Sequence, residues 1–134
     1  MKIERFEDII AWQKARELTL TIYKLSENGI LKKDFDLKSQ MRRAAISVMA
    51  NIAEGYGRKT DKEFANFLNI AHGSLAELQS HLYLAVDLKY VDKENFDKLY
   101  KLADETSRLL SKFAKYLSSS ASFHIDSRLK TLDS

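Results

Sequence analysis

The side chains able to titrate near neutrality are three histidines, His72, His81 and His124. His72 and His81 stand nine residues apart on one helical stretch, which is not the one-turn spacing that brings two imidazoles to one metal. The sequence has no cysteine, so thiolate nucleophiles, thiolate metal ligands and disulfides are excluded, and a reducing, cytoplasmic setting is the simplest expectation. No Glu-x-x-His pair of the kind that builds a di-metal bundle occurs, and no serine sits in a nucleophile-elbow sequence. The expectation is therefore a protein without catalytic residues, metal or cofactor.

One further stretch could hold an anion. Gly55-Tyr56-Gly57-Arg58-Lys59 precedes a helix start, where backbone N–H groups point outward. It lacks the spacing of a phosphate-binding loop, and Asp61 and Glu63 already occupy the following first turn. A glycine helix stop with a tight turn is the preferred reading, with Arg58 and Lys59 left as surface cations for a polyanion.

The net charge of +3 is uneven. Between Lys32 and Lys62 eight cations (Lys32, Lys33, Lys38, Arg42, Arg43, Arg58, Lys59, Lys62) face four anions (Asp34, Asp36, Glu54, Asp61). Such a region attracts polyanions, or forms a solvated charged surface. The start of the chain is amphipathic and charged, unlike a signal peptide or a membrane span, so no membrane partner is expected.

Four elements must position these groups. No proline and only four glycines interrupt the 134 residues, which favours long helices. The spacing predicts helices over about 7–27, 37–54, 61–88 and 93–117, one domain over 1–118 and a flexible tail over 119–134. The first has an acidic first turn and the stripe Ala11, Ala15, Leu18, Ile22, Leu25. Asp34 or Asp36 would cap the second, and Gly55 would stop it. Thr60 with Glu63 reads as a capping box, and Phe64, Leu68, Ala71, Leu75, Leu78, Leu82, Ala85 as the third seam. Asp92 caps the fourth, Val91 and Phe96 form a hydrophobic staple, and its seam runs Phe96, Leu99, Ala103, Thr106, Leu110, Phe113, Leu117. Short connections favour an all-α, antiparallel up-down-up-down four-helix bundle.

On a helical wheel the second helix has three faces. Leu37, Met41, Ala44, Ala45, Val48 and Ile52 face the bundle, and Gln40, Arg43, Ser47, Asn51 and Glu54 form a polar seam. The third face, Arg42, Ile46, Met49, Ala50 and Ala53, is small and apolar where a monomer meets solvent. The third helix carries Asn69, Gly73, Ala76 and Ser80 in step. Gly73 costs about 1 kcal/mol against alanine in a helix interior, so close packing is its expected purpose. The two small stripes either meet inside one bundle or form a subunit interface.

In that topology Lys2, Arg5, Arg58, Lys59, Lys62, Lys112 and Lys115 gather at one pole. Lys32, Lys33, Lys38 and Arg42 lie toward the other, about 27 Å away. A ring of copies would repeat these charges and make weak contacts multivalent.

The stretches "FEDIIAWQKARELT", "RRAAISVMANIAEGYGR" and "EFANFLNIAHGSLAELQSHLYLA" closely resemble the bacterial four-helix-bundle proteins encoded in intervening sequences of 23S ribosomal RNA genes. Asn51-Ile52-Ala53-Glu54-Gly55 and Gly73-Ser74-Leu75-x-Glu77-Leu78 are the most specific parts. The resemblance implies a homopentameric, barrel-like ring. It also implies kinship with the accessory protein of diversity-generating retroelements, a basic pentamer that binds reverse transcriptase and nucleic acid. The expected function is a non-enzymatic homo-oligomer binding structured RNA or another nucleic acid through Arg43, Arg58, Lys59 and Lys62, with Arg42, Ile46, Met49, Ala50 and Ala53 as the oligomer interface. The alternative is a scaffold that recruits a protein partner without nucleic acid.

Overall fold

The structure is a computed structural model that describes residues 3–119. Of the expected tail over 119–134, residues 120–134 lie outside the described residues. Among those described there are five α-helices and no strand: α1 (Ile10–Ser26), α2 (Gly29–Lys33), α3 (Phe35–Tyr56), α4 (Asp61–Asp87) and α5 (Lys93–Ser118). A 3₁₀ turn at Phe6–Asp8 precedes α1.

The first helix starts later than its acidic residues suggest. The Asp8 carboxylate turns back to accept from the backbone N–H groups of Glu4 (2.9 Å) and Arg5 (3.3 Å), and Ile9 is extended at ψ 120°. That break lets Ile3 and Ile9 both be buried, so Glu7 and Asp8 belong to a separate turn and α1 has no acidic first turn. The 27–36 connection also holds more structure than a loop. Gly29 takes φ +63°, the left-handed region glycine enters cheaply, and it opens the five residues of α2.

Asp34, rather than Asp36, caps α3. Its Oδ1 accepts from Leu37 N (3.1 Å) while Oδ2 accepts the Tyr90 hydroxyl (3.0 Å). Thr60 caps α4 by accepting from Glu63 N, and Asp92 caps α5 by accepting from Asn95 N. Val91 and Phe96 are both buried.

The core lies between four long helices, with α1 beside α3 and α5, and α4 beside α3 and α5. Every expected seam residue of α4 and α5 is buried, as are Leu37, Met41, Ala44, Ala45, Val48 and Ile52 of α3. On α1 Leu25 is only partly buried, while Thr19 and Ser26 join the buried face. Thr19 satisfies its hydroxyl on the carbonyls of Ala15 (2.7 Å) and Ala45 (3.2 Å), which removes the penalty of a buried donor. No helix among the described residues is long and apolar enough to cross a membrane.

Candidate functional site

The corner between α3 and α4 carries three of the four candidate nucleic-acid residues. Gly55 does not stop α3, which runs on to Tyr56 with Gly57 at its cap. Gly55 is buried because α4 comes too close for a side chain: a Cβ there would stand 2.7 Å from Phe67 Cβ and 2.9 Å from Phe64 Cδ1. Phe64 lies under the corner with its ring edge-on to Tyr56 (6.0 Å) and Phe113 (5.0 Å). Arg58 is held on this base, its guanidinium 4.6 Å from the Phe67 ring centroid and 2.9 Å from Glu54 Oε2. Lys59 and Lys62 are exposed beside it.

The charge of this corner is balanced. From Glu54 to Glu63 the cations Arg58, Lys59 and Lys62 meet three carboxylates, Glu54, Asp61 and Glu63. Arg43 is also exposed, but it lies thirteen residues before the end of α3 at Tyr56 and so about 20 Å from the corner. The structure thus groups Arg58, Lys59 and Lys62 and leaves Arg43 apart. The polar seam around Arg43 lies along the junction with α4, where Ser47 Oγ and Ser74 Oγ share a hydrogen bond of 2.8 Å and Asn51 donates to Ser47 Oγ (3.0 Å).

Arg42 is turned onto α1. Its Nε donates to Ser26 Oγ (2.7 Å), its terminal nitrogen pairs with Glu27, and its guanidinium lies 4.3 Å from the Tyr23 ring centroid. The hydrogen bond and charge of Arg42 hold the Glu27 carboxyl below its usual value of 4.5, with Lys32 and Lys38 adding smaller pulls. Because the folded chain binds that proton less tightly than the unfolded chain, the stabilisation is complete above pH about 4.5 and is lost as pH falls through the lowered value. Glu27→Gln should therefore flatten the acid limb of a stability-against-pH profile measured by urea unfolding; an unchanged limb would contradict the pairing.

The rest of the third face stays open. Ile46 is 43% exposed, Ala50 is exposed, and Met49 and Ala53 are half-buried. Asn69, Gly73, Ala76 and Ser80 on α4 are exposed too, and nothing lies within 4 Å of a Cβ built on Gly73. The two small stripes therefore do not cover one another within the chain. Further exposed apolar side chains were not singled out from the sequence: Leu20 on α1, and Ile70, Leu84 and Leu88 at the α4 side. Their signal was aliphatic residues off the α4 seam. By contrast, no large apolar residue of α5 is exposed, and its outer face is laced by Lys93–Asp97, Lys98–Glu94 and Arg108–Asp104 pairs one turn apart. Exposed large apolar residues thus occur on α1, α3 and α4, while the outer face of α5 is charged.

The two described histidines go different ways. His72 Nε2 is 2.9 Å from Ser107 Oγ on α5, and His81 Nε2 is buried without a hydrogen bond, 3.9 Å from Glu77 Oε2. Among the described residues no three His, Cys, Asp or Glu side chains converge as a metal site.

Comparison with known proteins gives two findings. A family model described as 23S rRNA-intervening sequence protein matches residues 7–112. A crystal structure at 1.70 Å of a protein with unknown function from the S23 ribosomal protein family of Bacteroides thetaiotaomicron VPI-5482 is similar, with TM-score 0.73 and 28% identity, covering 79% of this chain and 99% of that one. No match was found among curated proteins.

Proposed function

We propose that this chain, which belongs to the 23S rRNA-intervening sequence protein family, is a non-enzymatic up-down-up-down bundle that self-assembles and presents helix-end cations to structured RNA or another nucleic acid. The observation that carries the assembly is the exposure of Ile46 on α3 and of Ile70 and Leu84 on the adjacent α4, with no large apolar residue exposed on α5. Exposed apolar surface of this kind marks association with another protein surface, and Gly73, with nothing within 4 Å of a Cβ built there, allows a backbone to approach. A homopentameric ring accords with this, since the α3 face around Ile46 and the α4 stripe around Gly73 are different surfaces and can pair head to tail around a ring. Arg43, Arg58, Lys59 and Lys62 then recur in each copy, which supports a multivalent contact with phosphates.

Light scattering tests the assembly. Wild-type protein should have several times the mass of one chain and Ile46→Glu should shift toward the single chain; a monomeric wild type would refute it. Fluorescence anisotropy against ribosomal RNA fragments tests the ligand, and absence of binding at low salt, or binding indifferent to salt, would sink it. The balanced charge of the 54–63 corner favours a second reading, in which the assembly recruits a protein partner. Stoichiometric recovery of one protein after nuclease treatment supports that reading.

A further inference from the structure

A second group of cations lies at the other end of α3 from the α3–α4 corner. Residues 24–42 carry Lys24, Lys32, Lys33, Lys38 and Arg42 against Glu27, Asp34 and Asp36. Glu27 and Arg42 pair with each other, and Asp34 accepts from Leu37 N at the α3 cap and from the Tyr90 hydroxyl. Lys24, Lys32 and Lys33 are exposed. Among them Phe35 is the most exposed large apolar side chain described, at 74%, with Lys38 Nζ 5.6 Å from its ring centroid. A phenyl ring left open at the first residue of a helix adds nothing to the core, and the cation of Lys38 lies beside it.

We infer that the α1–α2–α3 junction is a binding site for single-stranded nucleic acid, in which Phe35 stacks on an unpaired base and Lys32, Lys33 and Lys38 hold the flanking phosphates. An aromatic platform beside lysines is the arrangement that binds single strands with little sequence preference, because every base offers a π face. A duplex keeps its bases stacked on one another and offers Phe35 nothing. The ligand class rests on the nucleic-acid reading above, but the site is a different one, at the opposite end of α3 from Arg58, Lys59 and Lys62. Phe35 also lies eleven residues from Ile46, about 16 Å along the helix, so the site and the assembly face can be separated experimentally.

The test is anisotropy titration of a labelled unstructured RNA 12-mer, the DNA of the same sequence, and an RNA duplex of the same length. The proteins are the full chain, Phe35→Ala, Phe35→Tyr, Lys32→Gln/Lys33→Gln and Arg58→Glu/Lys59→Glu. Single strands should bind more tightly than the duplex, and RNA against DNA reports which polymer is preferred. Phe35→Ala should weaken single-strand binding roughly 5- to 150-fold, the range of one base–aromatic stack, and Phe35→Tyr should restore it. With three phosphate contacts, affinity should fall about 20-fold between 50 and 200 mM salt, and the double lysine variant should reduce that dependence. If no nucleic acid binds at low salt, the functional reading fails along with the site. If RNA binds but only Arg58→Glu/Lys59→Glu weakens it, the functional reading stands and this site is wrong. Equal competition by polyglutamate, or a change of mass in Phe35→Ala by light scattering, also overturns the assignment, the first because it needs no stacking and the second because it makes Phe35 an assembly contact.

Discussion

Phe64→Ala lowers the free energy of unfolding by roughly 3–5 kcal/mol, the range for removing a large aromatic from a core that cannot collapse around the space. Phe64 has no exposed surface, and its ring joins three helices at once, edge-on to Tyr56 of α3 and Phe113 of α5 from its own place on α4. Relaxation of one helix into the cavity would pull it from the others. Urea unfolding at a fixed protein concentration is the measurement, since association would move the midpoint with concentration. A loss below about 1 kcal/mol would mean that this end of the bundle is loosely packed.

Gly55→Ala should destabilise the protein by about 1–3 kcal/mol, although alanine is the better helix former. In an open helix the exchange would gain about 1 kcal/mol. Here the new methyl meets Phe67 Cβ at 2.7 Å, Phe64 Cδ1 at 2.9 Å and the Phe64 carbonyl at 3.3 Å. A Cβ and a carbonyl are fixed to the backbone, so α3 and α4 must separate, and overpacking of this kind outweighs the propensity gain. Gly73→Ala is the control, because nothing lies within 4 Å of its Cβ position. It should be stabilising by up to about 1 kcal/mol at the level of the chain. Equal effects of the two substitutions would contradict the close approach at Gly55.

What the sequence made legible follows from which forces are local. The seams of α4 and α5 could be read because burial repeats at helical spacing along the seven seam residues from Phe64 to Ala85 and the seven from Phe96 to Leu117. The starts of both helices could be read because Thr60 and Asp92 cap by hydrogen bonds three residues long. The start of α1 could not. Glu7 and Asp8 have the look of a first turn, but the burial of Ile3 and Ile9, a tertiary event, sets the chain direction there. Five residues are too few for α2 to show a period. Gly55 announced itself as a glycine, while its reason, Phe64 and Phe67 on another helix, was not in its neighbourhood. At the candidate site the cations could be counted but not their partners. Arg42 shares a wheel face with Ile46, yet its long side chain lies back over Tyr23 and reaches Ser26 and Glu27, a freedom a wheel does not represent. Phe35 falls outside any seam, and only exposure sets it apart.

The contacts between α3 and α4 form a ladder that opens outward from the turn. Gly55 meets Phe64 and Phe67 next to it, Ser47 and Ser74 meet across 27 residues, and Asp34 and Tyr90 across 56. Each closure shortens the free loop left for the next, and the entropy of closing a loop grows only with the logarithm of its length. The pairing of α1 with α5, whose partners stand at opposite ends of the described chain, has no such sequence of small steps. The α4–α5 hairpin carries the same kind of ladder, from Tyr83 with Phe96 through His72 with Ser107 to Phe64 with Phe113, so contacts of short separation link α3, α4 and α5 in one run and the pairing of α1 with α5 is the one with the longest loop to close.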